Sequence, residues 1–151
     1  MKNNKKNRSN RYIFLLIILI LVLFFGHRKT SPTNEICYKT NCFHIQIAKD
    51  EKSREKWLMF LPSLAPESWM LFIFPQEWIY DFRMKNTLIP LDMIRLDWNL
   101  KVVGIVEALP CKSDPCKLYS SVKKSKYVLE INKWISSKIW LKIGDTFKLK
   151  E

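Results

Sequence analysis

Fourteen consecutive apolar or aromatic residues, Tyr12 to Phe25, constrain this chain more than any other feature. Lys2, Lys5, Lys6, Arg8 and Arg11 precede the run, His27, Arg28 and Lys29 come after it, and no acid falls among the first 29 residues. The heavier positive charge on the N-terminal side predicts that this end stays in the cytoplasm. As a helix rising ~1.5 Å per residue the run spans about 21 Å, short of a hydrocarbon core of about 30 Å. Snorkelling of Arg11 and Arg28 with local thinning makes up the difference. The favoured reading is an uncleaved membrane anchor over 12–26 behind a basic cytoplasmic tail, 1–11, so that the chain's first partner is the lipid bilayer. The alternative is a cleaved signal peptide. Its small-x-small site is missing, since Phe24 precedes Gly26 and Lys29 precedes Ser31 at the relevant spacing. With no cysteine just after the run, lipoprotein processing is disfavoured. Either reading sends the remainder to the periplasmic or extracellular side: a polar stalk over 27–36, then an exported domain over 37–151.

Without the run, 58 of 137 residues remain hydrophobic (72 − 14 and 151 − 14), too apolar a composition for disorder. The formal charge of +12 invites a nucleic-acid reading, but seven of the twelve charges lie in residues 1–29. Residues 30–151 carry 19 basic and 14 acidic side chains, with a small cluster at Lys123, Lys124 and Lys126. The aromatic residues do not interleave with cations as a stacking platform requires, so no nucleic-acid partner is expected.

Along the exported part, Phe43, Ile45 and Ile47 alternate with His44 and Gln46, which predicts a half-buried strand. Asp50 suits the cap of a short helix reaching about Met59, with Trp57, Leu58 and Phe60 entering the core. Trp69 to Phe74 is apolar on both faces and predicts a central strand that Pro75 ends. Tyr80, Phe82 and Met84 alternate with Asp81, Arg83 and Lys85 as another. Leu91 to Leu96 turns through Asp97-Trp98-Asn99 into Lys101 to Leu109, where Gly104 suggests a bulge. Tyr127 to Ile131 is a strand. Asn132 is placed to cap a helix through about Leu141, Gly144 to stop it, and Thr146 to Leu149 to form the last strand. The fold class is mainly β: a compact antiparallel β-barrel or jelly-roll-like domain with two short helices, preceded by one N-terminal transmembrane helix.

Met84 to Met93 (MKNTLIPLDM) resembles the signature of the domain of unknown function 192 family. Trp57-Leu58-Met59-Phe60 and Trp69-Met70-Leu71-Phe72 resemble two upstream blocks. Pro110 to Tyr119 (PCKSDPCKLY) and Tyr127-Val128-Leu129-Glu130 resemble later ones, in order. The resemblance covers Phe43 to Leu149 and implies a compact β-barrel or jelly-roll-like domain, often exported and anchored, with no established activity. Trp57 and Trp69 stand where the family often has Gly, and Arg83 where it often has Trp. A tryptophan is ill suited to φ > 0, so ordinary backbone is expected at the first two.

Cys37 and Cys42 are spaced C-x4-C, as are Cys111 and Cys116. Four cysteines allow three pairings, and export favours disulfides over a metal. A local pair is worth about 2 kcal/mol on the chain-entropy model and a pair joining the two motifs about 4.5. Local pairing is the simpler expectation, because each loop holds turn formers. Zinc and thioredoxin-type chemistry both favour C-x2-C, so neither metal nor cofactor is expected.

In Leu91 to Leu96, Asp92 shares a face with Ile94 and Leu96, where a carboxylate must be bonded to be tolerated. One reading makes it a clamp on the Asn86-Thr87 turn. The other gathers Lys85, Asn86, Thr87, Asp92 and Glu107 around a small ligand or an envelope protein, Glu107 sharing a face with Ile105 and Leu109. The expected function is a non-enzymatic binding or assembly module of the cell envelope. The alternative is an envelope hydrolase or carbohydrate-active enzyme using Asp92 with Glu107 or Asp81. His44 is the single histidine of the exported part, and H-E-x-x-H, G-x-S-x-G and phosphate-binding glycine loops are all missing. Trp78, Trp98, Trp134 and Trp140 are candidates for a sugar-binding face, or for core and rim.

Overall fold

The structure, a computed structural model, describes residues 34–56 and 58–150. The residues expected to form a cytoplasmic tail, an anchor and most of a stalk lie outside the described residues, as does Trp57. The described chain runs β1 (Glu35–Tyr38), β2 (Asn41–Ala48), α1 (Glu51–Lys56), β3 (Ser68–Trp78), β4 (Phe82–Arg83), β5 (Leu91–Leu96), β6 (Val102–Ala108), β7 (Leu118–Tyr119), β8 (Ser125–Asn132), α2 (Ile135–Lys138) and β9 (Lys148–Lys150). Seven strands form one sheet in the order β6-β5-β8-β3-β2-β1-β9, and β4 pairs with β7 as a separate ribbon. The pairing is antiparallel except for β2 with β3. Helix α1 lies in the crossover that a parallel pair requires.

The expected antiparallel barrel is therefore a curled half-barrel with one parallel pair. Its two outermost strands approach at one end. The Phe147 N–H donates to the Leu100 carbonyl at 3.0 Å, the Val102 N–H to Asp145 at 2.7 Å, and the Gly144 N–H to Val102 at 2.8 Å. These bonds occupy backbone groups that would otherwise be exposed edge.

Both faces of the sheet are covered, which is why its central strands are mostly apolar on both sides. One face carries Trp69, Leu71, Ile94, Leu96, Leu129 and Ile131 against Ile36, Leu141 and Phe147. The other carries Met70, Phe72, Leu91, Met93 and Val128 against Leu58, Met84 and Tyr119. All six residues of β5 are buried, including its two charged ones: Asp92 on the first face and Arg95 on the second.

Several expected boundaries shift for identifiable reasons. β3 runs past Pro75 to Trp78, and its pairing with β8 breaks register between Ile73 and Trp78. That irregularity accommodates a residue without an N–H. The strand expected over 80–85 shrinks to Phe82–Arg83 because a turn begins at Met84, whose carbonyl accepts the Thr87 N–H at 3.2 Å. Asn86 there has φ 59°, the left-handed region Asn tolerates. α2 does not start at Asn132, which ends β8 and donates from Nδ2 to the Leu64 carbonyl at 2.8 Å. It is only four residues long. Trp140 (φ 57°) turns the chain beyond it, well before Gly144. Phe60, expected in the core, is exposed with φ 61°, its N–H held by the Asn86 carbonyl at 2.8 Å. As expected, the Asp50 side chain caps α1, accepting the Ser53 N–H at 2.8 Å, and a β5–β6 register shift falls next to Gly104.

The cysteines pair locally, Cys37 with Cys42 across the β1–β2 turn and Cys111 with Cys116 in the loop before β7. No described helix is long and apolar enough to cross a membrane.

Candidate functional site

The five residues singled out in the sequence separate into two places on opposite faces of the sheet. On the first face Asp92 and Glu107 are direct cross-strand neighbours, and Lys85 is not with them. Asp92 is buried, and its Oδ2 accepts both the Ser136 N–H at 3.0 Å and the Ser136 hydroxyl at 2.6 Å. The clamp exists, but it holds the start of α2 and not the Asn86-Thr87 turn. Oδ1 of Asp92 is buried without a hydrogen-bond partner among the described residues. Glu107, more exposed, pairs with Lys133 Nζ at 3.0 Å, and that ammonium lies 4.2 Å from the centre of the Trp134 ring. Asp81, the other proposed partner of Asp92, belongs to the second face. It accepts from the Ser120 hydroxyl and bears electrostatically on Arg95.

On the second face the signature turn fastens other segments. Thr87 is buried and bridges Met59, and the Met84 carbonyl also accepts the Cys111 N–H at 3.3 Å. The Asn86 side chain lies beside Met59 Sδ, its Nδ2 at 3.9 Å. Lys85 points the other way, its Nζ 2.9 Å from Asp114 in the Cys111–Cys116 loop. That bond, helped by Arg83, holds the exposed Asp114 carboxyl below its ordinary range.

Arg83 and Lys85 stand where two depressions meet. The larger, about 870 Å³, runs between α1 and the end of β3 with β4. Its aromatic wall is ordered by contact: Phe74 stacks on Tyr80 at 3.7 Å between centroids, and Phe82 meets Phe72 edge-on at 5.5 Å. Arg54 of α1 lies over Phe74 at 5.3 Å and donates to the Ile73 carbonyl at 3.2 Å. Its rim carries both signs, with Glu51, Glu55 and Asp81 against Lys56, Arg83 and Lys85. The smaller depression lies between Arg83, Lys85, Asp114 and Leu118.

Beneath this wall lie two buried ionisable residues absent from the sequence reading. Arg95, buried, donates to the Tyr80 carbonyl at 2.8 Å and to the Tyr119 carbonyl, and lies 5.1 Å from the Phe82 ring centre. Burial pulls its pKa down, while Asp81 and Glu130 oppose that shift. Glu130 is buried on the same face, and burial pushes its carboxyl up to about 8 even though Arg95 acts the other way. The signal was present: an Arg and a Glu inside strands apolar on both faces must find internal partners. Ser136, by contrast, sat in a predicted helix with nothing to mark it.

Residues 34–149 match the DUF192 family, described as "Uncharacterized ACR". The chain belongs to this family. No curated protein matches it. Two solved structures resemble this DUF192 domain. One is a candidate transcription regulator from Sinorhizobium meliloti, 27% identical, with a TM-score of 0.70 over 80% of this chain and 97% of that one. The other is a protein of unknown function from Novosphingobium aromaticivorans, 26% identical, with a TM-score of 0.68 over 81% of this chain and 89% of that one.

Proposed function

We propose that this DUF192 domain is a non-enzymatic binding module of the cell envelope, exported and held at the membrane by residues 12–26. Its ligand, a small molecule or an envelope protein segment, occupies the groove between α1 and the end of β3. The carrying observation is the pairing of a stacked aromatic wall, Phe74 on Tyr80, with the cations of Arg83 and Lys85 at its rim. Such a surface suits an amphipathic ligand with an apolar body and an anionic end. Asn86 and Thr87 belong to this reading as the turn that sets Lys85 in place.

The hydrolase alternative relies on Asp92 acting with Glu107 or Asp81. Against it, Oδ2 of Asp92 is engaged by Ser136 and Glu107 is paired with Lys133. Asp92 is therefore read as a structural fastening.

The test is crosslinking in detergent-solubilised membranes, comparing wild type with Arg83→Ala/Lys85→Ala and with Glu107→Gln. The binding reading expects partner bands lost in the first variant and kept in the second. Identical bands in all three would remove the groove from consideration.

A further inference from the structure

One end of the sheet carries an exposed cluster that the groove does not explain. Trp78, at the end of β3, is directly opposite Ser125 at the start of β8. The Trp98 N–H, in the β5–β6 turn, donates to Glu77 Oε1 at 2.6 Å, which brings that turn against β3. Trp78 and Trp98 are 53% and 61% exposed, and each lies against a lysine: Lys124 Nζ is 5.0 Å from the Trp78 ring centre and Lys126 Nζ 4.6 Å from that of Trp98. Lys126 also donates to the Pro75 carbonyl at 3.0 Å, which holds its side chain in place. Ile79 is exposed beside Trp78, and Val122, in the loop before β8, is 97% exposed next to Lys123.

The carboxylates at this end are tied to the fold by neutral donors. Glu77 is taken by the Trp98 N–H, Asp97 by the N–H groups of Asn99 and Lys101 at 2.8 and 2.9 Å, and Asp81 by Ser120. They keep their charge, but none is paired with a lysine there among the described residues, and the ammonium groups of Lys124 and Lys126 lie directly at the two indoles with Lys123 next in the chain.

We propose that this end of the domain docks onto the surface of an anionic lipid bilayer. Indole rings and snorkelling lysines occupy the headgroup layer, while Val122 and Ile79 reach the acyl boundary. The aliphatic tips decide against a glycan or a single-stranded nucleic acid, since both would need free ring faces for stacking and would gain nothing from Val122. Each lysine near such a surface contributes about five-fold in partitioning, less as salt rises. This contact is independent of the groove and of residues 12–26.

The Sinorhizobium relative is matched over 97% of its own length, so it is little more than this domain, and residues 34–151 are therefore tested alone. Sedimentation with vesicles of phosphatidylglycerol and phosphatidylethanolamine, against pure phosphatidylcholine, reads the partitioning. The anionic vesicles should retain at least ten-fold more protein, with tryptophan emission shifted to the blue. Lys123→Glu/Lys124→Glu and, separately, Val122→Asp should each lower retention five-fold or more at unchanged thermal midpoints. Three outcomes overturn the proposal: equal retention on both vesicle types, retention that neither variant changes, or binding of a single-stranded oligonucleotide, a soluble polyanionic glycan or a second copy of the domain without binding to vesicles.

Discussion

Strand β5 buries two charges three residues apart, and the sheet treats them in opposite ways. Asp92 meets a single partner residue, and both donors of Ser136 converge on one oxygen. The short side chain is bonded through one oxygen only, its Oδ1 left without a partner among the described residues, and its role is to hold α2 against the sheet. Arg95 spreads its donors over the carbonyls of Tyr80 and Tyr119, on two segments far apart in the chain, and shares its surroundings with Glu130. A carboxylate bonded to one helix start is a local fastening. A guanidinium that fixes two segments beneath the aromatic wall, beside an acid that keeps its proton near neutrality, sets the shape and charge of the ground below the groove.

The comparison is broken most forcefully at Arg95. Arg95→Met removes the donors to both carbonyls and leaves Glu130 without its opposing charge. Hydrogen bonds from a charged donor are worth about 1.5–3 kcal/mol each, so losing both at a buried site should cost about 3–5 kcal/mol in urea unfolding, with lost protection from exchange in β4 and β7. A cost below 1 kcal/mol would mean that Arg95 does not organise the second face.

Glu130 gives the next effect, and its sign follows from where the proton sits. With an unfolded value near 4.5 and a folded value of about 8, the native state binds more protons than the unfolded chain between those limits. Its contribution is thus full below pH 4.5 and is lost as the pH rises towards 8. Glu130→Gln should flatten this decline and be the more stable protein at pH 8.5, by on the order of 2 kcal/mol. Parallel stability–pH curves for the two proteins would place the proton elsewhere.

The two faces also differ in how far the sequence revealed them. Periodicity located the strands, and the unbroken apolar run Trp69 to Phe74 marked β3 as central, because each residue's face follows from alternation alone. It gave the faces of Asp92 and Glu107 for the same reason, but left Glu107 beside either Lys85 or Asp92 until the β5–β6 register decided for Asp92. Local spacing was enough for the cysteines. Partners brought by distant segments were another matter. Ser136 reaches Asp92 across 44 positions, and nothing in Asn86 or Thr87 showed that they would bind Met59 and Phe60 instead. The parallel β2–β3 pair was hidden because a strand's pattern is blind to its direction. The groove was hidden because it needs α1 to lie beside β3.

Asp92→Ala tests the local fastening. The Ser136 N–H and hydroxyl lose their acceptor at a buried position, which costs about 1–3 kcal/mol. The damage should remain local, with faster amide exchange across 134–141 and unchanged crosslinking at the groove. Loss of groove crosslinks with α2 still protected would instead make Asp92 part of the binding site.

The smallest effect is expected one strand away, at Glu107. Its bond to Lys133 Nζ is short, at 3.0 Å, yet the carboxylate side chain is 55% exposed. An exposed pair gains little over two solvated ions, and Lys133 keeps its place over Trp134 without it. Glu107→Gln should therefore change unfolding free energy by less than about 1 kcal/mol, and less still in 0.5 M salt, where screening weakens the wild-type pair. Register makes Glu107 and Asp92 neighbours, but water reaches only one of them. If Glu107→Gln cost as much as Asp92→Ala, the two carboxylates would have to act as one coupled unit, and the hydrolase reading would regain its central pair.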